Sequence, residues 1–65
     1  MNTATYLIQH KRQVKNPQEK HSYRVIGFHI PGQTYTIYKI EDDIVYFKGY
    51  NIGRHISKLK FFEVN

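Results

Sequence analysis

The sequence predicts an all-β fold: a small barrel or sandwich of five to six short antiparallel strands with a long polar loop between the first two. Three observations carry this. Runs rich in β-branched and aromatic residues recur along the chain. Turn signals separate them at Pro31-Gly32, Glu41-Asp42-Asp43 and Gly49-Tyr50-Asn51. No stretch sustains the helical period of about 3.6 residues.

Taken in order, Ala4 to Gln9 (ATYLIQ) reads as a first strand. His10 to Ser22 (HKRQVKNPQEKHS) is the most polar stretch, with Val14 its only large aliphatic residue and Pro17 a breaker, and reads as a basic loop over residues 10–22. Pro17-Gln18-Glu19-Lys20 also has the chemistry of a first helical turn, so a short helix near Pro17 is the alternative there. Tyr23 to Ile30 (YRVIGFHI) is a second strand that Pro31-Gly32 closes, and Gln33 to Ile40 (QTYTIYKI) a third. Ile44 to Lys48 (IVYFK), Ile52 to Ser57 (IGRHIS) and the terminal Leu59 to Val64 (LKFFEV) complete the set.

In the hairpin of the third and fourth strands, Tyr35, Ile37, Val45 and Phe47 are expected inward, which leaves Tyr46 and Lys48 in water. That parity fails at Lys39 and Ile40. A β-bulge near Tyr38 to Ile40 would restore it, bring Ile40 inward and re-aim the chain at the corner of a barrel. Ile52 and Ile56 share parity with Arg54, so a bulge or bend at Gly53 is expected to turn Arg54 outward.

Size limits what such a fold can do. The 65 residues make one small domain, residues 1–65, and a chain of this length buries only about 60% of its unfolded surface. There is no cysteine, hence neither a disulfide staple nor a thiolate metal site. Hydrophobic content of 40%, aromatic content of 15% and a mean hydropathy of -0.63 suit a globular domain better than a disordered tail. The longest apolar run near the start, Tyr6-Leu7-Ile8, is far short of a signal-peptide core or of the roughly 20 residues that span a bilayer. The chain therefore reads as cytoplasmic and free of membrane.

The pattern Pro31-Gly32-x-x-Tyr35-x-Ile37, then Ile40-x-Asp42-Asp43-x-Val45-x-Phe47, then Ser57-x-Leu59-x-x-Phe62-x-Val64 resembles small SH3-like barrel proteins. Many of these are uncharacterised and encoded by phages or prophages. The match covers residues 31 to 64. The resemblance implies an SH3-like barrel with a short 3₁₀ turn near Ser57 to Leu59, and it brings no family-wide activity. The basic segment His10 to Arg24 departs from the pattern, so an individual function is sought there.

His10, His21, His29 and His55 show no H-x-H or H-x-x-x-H pairing and read as surface or half-buried residues, so no metal is expected. Asp42 and Asp43 beside Glu41 are accounted for by turn chemistry. Ser22 and Ser57 lack a nucleophile-elbow context, and the chain has little room for a catalytic pocket; neither an enzyme nor a cofactor is expected.

Charge is the stronger signal. The ten bases exceed the five acids by +5, and residues 1 to 24 hold Lys11, Arg12, Lys15, Lys20 and Arg24 against Glu19 alone. Further on, tyrosines interleave with cations: Tyr46, Lys48, Tyr50 and Arg54 are expected to form an adjoining face. Cations track phosphates and rings stack on bases, so the first expectation is a non-enzymatic nucleic-acid binder of weak sequence preference, DNA or RNA. If about four phosphates are neutralised, log K falls with log salt at a slope of about −3 to −4. The alternative is a protein-interaction modulator that docks the same residues on an acidic surface of a host protein. A third expectation is a homodimer joined through an edge strand.

Overall fold

In a computed structural model that describes residues 2–64, the first element is a helix and not the expected strand. Helix α1 spans Thr3–His10. The Asn2 side-chain oxygen accepts the Thr5 N–H at 2.8 Å, and the Lys11 N–H returns to the Leu7 carbonyl at 2.9 Å, so both ends are capped. ATYLIQ alternates like a strand, yet Ala4, Leu7 and Ile8 also stand at the i, i+3, i+4 spacing of one helical face. Six residues cannot separate the two periods, and docking decides: Leu7 is 0% exposed.

The strands are β1 Gln13–Val14, β2 Ser22–Ile26, β3 Gln33–Glu41, β4 Ile44–Phe47, β5 Gly53–His55 and β6 Lys60–Phe62, with a 3₁₀ turn over Ile56–Lys58. All pairings are antiparallel in the spatial order β1-β6-β2-β3-β4-β5, which curls into a half-barrel. The fold is thus mostly antiparallel β with one small helix among the described residues. None of the described helices is long and apolar enough to cross a membrane.

The polar stretch from His10 to Ser22 is not wholly loop. Gln13 and Val14 pair with Phe62 and Phe61, and only residues 15–21 cross unpaired by strands to β2. Residues 19 and 20 form a turn, with no helix at Pro17. The second strand stops at Ile26 rather than Ile30. Gly27 there has φ +106°, and a Cβ would fall on the Lys58 carbonyl oxygen, so the close approach of the two segments requires glycine.

On the concave side Tyr23, Val25, Phe28, Tyr35, Ile37, Val45, Phe47, Leu59 and Phe61 make the core, with Val14, Ile40 and Ile56 at its margin. The four residues expected inward from the central hairpin are all in it. Two core tyrosines keep their hydroxyls paired: Tyr23 accepts the Gln18 N–H at 3.0 Å and Tyr35 the Ile30 N–H at 3.2 Å. Phe62 pairs with Arg24 and so lies on the opposite face, 1% exposed. Helix α1 covers that face, since the Thr3 and Leu7 side chains meet Gly32, whose carbonyl accepts a 2.8 Å hydrogen bond from Arg24 Nε.

The expected bulge is present. The ladder between β3 and β4 shifts register between Ile37 and Lys39, leaving Tyr38 as the extra residue. Before it, β3 pairs with β2; from Ile37 onward it pairs with β4. The bulge thus marks the corner at which the sheet curls.

Arg54 does not turn outward. Its register opposite Val45 puts it on the concave side, with the guanidinium carbon 5.8 Å from the Phe28 ring centroid. The ladder runs regularly through Gly53, because that glycine makes space for the Tyr46 ring and the Ile44 methyl group instead of forming a bulge. Ile52, left before the strand, is 50% exposed, and Ile56 reaches the core margin from the 3₁₀ turn.

Candidate functional site

An open groove of about 670 Å³ combines cations with exposed rings. Its chemistry comes from Lys20, Tyr38, Lys48 and Tyr50, with Thr36 and Asn51 as polar neighbours and Ile37 and Phe47 as floor. No carboxylate lines it among the described residues.

Three local devices build the groove. The first is the bulge, which takes Tyr38 out of the alternation and leaves the residue 58% exposed. The second is the turn Phe47-Lys48-Gly49-Tyr50, closed by the Tyr50 N–H on the Phe47 carbonyl at 3.1 Å. Gly49 has φ +88° at the third position, as a type II turn demands, and Lys48 and Tyr50 flank it. The Lys48 N–H reaches the Thr36 carbonyl at 2.9 Å and ties this turn to β3.

The third device is the end of the basic segment. Lys20 has φ +70°; its N–H donates to the Ile37 carbonyl at 2.8 Å, while the Ile37 N–H donates to the His21 carbonyl at 3.0 Å. Two residues therefore face one, a second bulge with a left-handed lysine where glycine is preferred. Glu19 completes the attachment, its Oε2 accepting the Ile40 N–H at 2.7 Å. The segment is strapped to β3 on both sides of Tyr38, which carries Lys20 to the groove.

The two tyrosines differ in freedom. Tyr50, 40% exposed, has His29 tilted against it at 5.0 Å between centroids, Phe28 edge-on at 5.1 Å and Tyr35 at 5.7 Å. Arg54 adds its cation to the other partner of this cluster, Phe28. The Tyr50 ring is thereby held in place. Tyr38 has no ring neighbour among the described residues and is 58% exposed.

The remaining sequence candidates lie elsewhere. Tyr46 faces outward on β4 as expected, half-buried, but the cation beside it is Lys39, whose ammonium is 4.9 Å from the ring centroid and 3.4 Å from Glu41. Arg24 lies on the helix-covered face and is held by Gly32. Arg12 pairs with Glu63 at 3.5 Å beside β1 and β6, Lys11 closes α1, and Lys15 is exposed in the crossing segment. Of the nine candidates, Lys20, Lys48 and Tyr50 share the groove. Tyr38 was missed as a site residue, although the parity failure at Lys39 and Ile40 was the signal that this tyrosine leaves the ladder.

Other chemistry is thin. His55 Nδ1 accepts the Ser57 N–H at 3.2 Å and lies 2.8 Å from the Ser57 hydroxyl, which makes it the N-cap of the 3₁₀ turn. Among the described residues no group of three His, Asp or Glu is placed to hold a metal ion. Asp42 and Asp43 have φ +53° and +63°, the left-handed pair of a two-residue hairpin.

Comparison with protein-family models, with curated proteins and with solved structures gives no significant match.

Proposed function

We propose that this protein is a non-enzymatic nucleic-acid-binding module whose contact surface is the Lys20, Tyr38, Lys48, Tyr50 groove. One observation carries the reading: a concave surface that joins two lysines and two exposed rings and is lined by no carboxylate, on a chain of net charge +5. Ammonium groups of this kind neutralise phosphates, and exposed aromatic faces take bases irrespective of sequence. An SH3-like barrel is supported by the bulged central strand, the long first connection and the 3₁₀ turn before the last strand.

The test is fluorescence anisotropy with labelled single-stranded and duplex oligonucleotides at low salt. Binding is expected, with weak dependence on sequence. Two groove lysines replace the four phosphate contacts anticipated from charge alone, so the slope of log K against log salt for a single strand is expected to be about −1.4. Lys48→Ala is expected to weaken binding and to reduce that slope by about 0.7. Failure of every oligonucleotide to bind overturns the proposal. The competing reading, a modulator that docks the same residues on an acidic protein surface, then gains if nuclease-treated host lysate still yields one stoichiometric partner.

A further inference from the structure

We infer that the groove takes single-stranded nucleic acid, with unpaired bases stacked on Tyr50 as a fixed platform and on Tyr38 as an adjustable second ring. The inference rests on the nucleic-acid reading above and narrows it to a class of ligand.

The geometry of the rings leads to it. Tyr38 and Tyr50 both border a recess, with Ile37 and Phe47 beneath them. A duplex offers a convex backbone and the edges of its bases, while its base faces are covered by their neighbours. A ring in a recess reaches a base face only where the base is unpaired. The recess is also in the range of small-ligand sites, about 300–1,000 Å³, which suits one or two nucleotides and is too small to seat a double helix.

The difference between the rings assigns their roles. His29, Phe28 and Tyr35 hold Tyr50, and 40% of that residue remains open to solvent, so the ring is positioned at the recess before any ligand arrives. A held ring loses little conformational freedom on binding, which favours affinity. Tyr38 projects from the bulge without a ring neighbour among the described residues and can adjust to whichever base enters. Lys20 and Lys48 border the same recess and are available to the phosphates of a strand whose bases point in.

The experiment uses the full chain and fluorescein-labelled ~8-nucleotide oligo-dT and oligo-rU, with a blunt hairpin duplex as the competing probe. Single strands are expected to bind at least about tenfold tighter than the duplex, since only they present base faces. Tyr38→Ala and Tyr50→Ala are each expected to weaken single-strand binding by roughly five- to a hundredfold, the range seen for loss of one stacked base. Tyr50→Phe keeps the ring and is expected to keep the affinity. Tyr50 also packs against Phe28, so circular dichroism of each variant accompanies the titration, and Tyr38→Ala, at the more exposed ring, is the variant expected to disturb folding less. Duplex binding equal to single-strand binding, or affinity unchanged in folded Tyr38→Ala and Tyr50→Ala, overturns the inference and leaves the nucleic-acid reading intact. No binding to any of the three probes overturns both.

Discussion

The carboxylate of Glu19 accepts the backbone N–H of Ile40 at 2.7 Å, joining the basic segment to the strand residue just beyond the Tyr38 bulge. Glu19 is the one acid in residues 1 to 24, and its role is structural. A bulge disrupts the ladder locally, and this side chain supplies the acceptor that Ile40 finds. The contact also fixes the residue before Lys20, so one hydrogen bond couples the corner of the sheet to the cation at the groove.

Glu19→Ala is expected to lower stability by about 1 kcal/mol, below the usual range for a bond to a charged group because Glu19 is exposed. Glu19→Gln keeps an acceptor oxygen and is expected to lose less than half of that. Urea unfolding of the two variants measures the difference. If strapping by Glu19 positions Lys20, Glu19→Ala also weakens oligonucleotide binding even though it raises the net positive charge. Tighter binding would show that bulk charge dominates.

Lys20 offers a pair of variants that separates strain from charge. Its φ of +70° is one that a side chain disfavours by roughly 1–2 kcal/mol, partly offset in glycine by a freer unfolded chain. Lys20→Gly is expected to be more stable than Lys20→Ala by about 1 kcal/mol, while both lose the same share of binding. Equal melting temperatures would contradict the assigned backbone geometry.

Arg54 has an Nε buried without a hydrogen-bond partner, and its guanidinium lies over Phe28. Replacement by methionine keeps an apolar stem of similar length and removes the unpaired donor. Arg54→Met is expected to leave stability unchanged or raise it by about 1 kcal/mol, against a cation–π loss of about 0.5–1 kcal/mol. A large destabilisation in thermal melts would mean that the cation over Phe28 organises the aromatic cluster behind Tyr50.

The Asp42-Asp43 hairpin holds two side-chain-bearing residues at positive φ. Asn-Gly is the preferred pair for such a turn, so the double change Asp42→Asn, Asp43→Gly is expected to raise stability by about 1 kcal/mol. Neither residue lines the groove, and oligonucleotide affinity is expected to shift only through the altered net charge.

Leu7 anchors α1 on the face that carries Phe62. Leu7→Ala is expected to cost about 2–4 kcal/mol, a large part of the stability of a chain this small. Loss of the helical component of the far-UV circular dichroism before the strand signal would show that α1 detaches first.

The alternation of Tyr35, Ile37, Val45 and Phe47, the Asp42-Asp43 turn and the parity break at Lys39 and Ile40 were legible because each is local. A strand's faces follow from a period of two, and a two-residue turn from the chemistry of its own residues. The concentration of charge in residues 1 to 24 was equally plain in the sequence. What that charge does was not. The strand order takes Arg12 to Glu63, and Arg24 to Gly32 beneath the helix, while only Lys20 arrives beside Lys48 and Tyr50.

The sequence by itself determined the central β3–β4 hairpin, its inward residues and the basic excess, since these depend on neighbours along the chain. Tertiary structure alone decided that ATYLIQ is a helix, because the far face of β2 and β6 needed cover, and that Arg54 points inward, because Gly53 gives its space to Tyr46. It also decided the groove, where residues 20, 38, 48 and 50 meet only once β3 has bent at its bulge and Glu19 has bound the crossing segment to it.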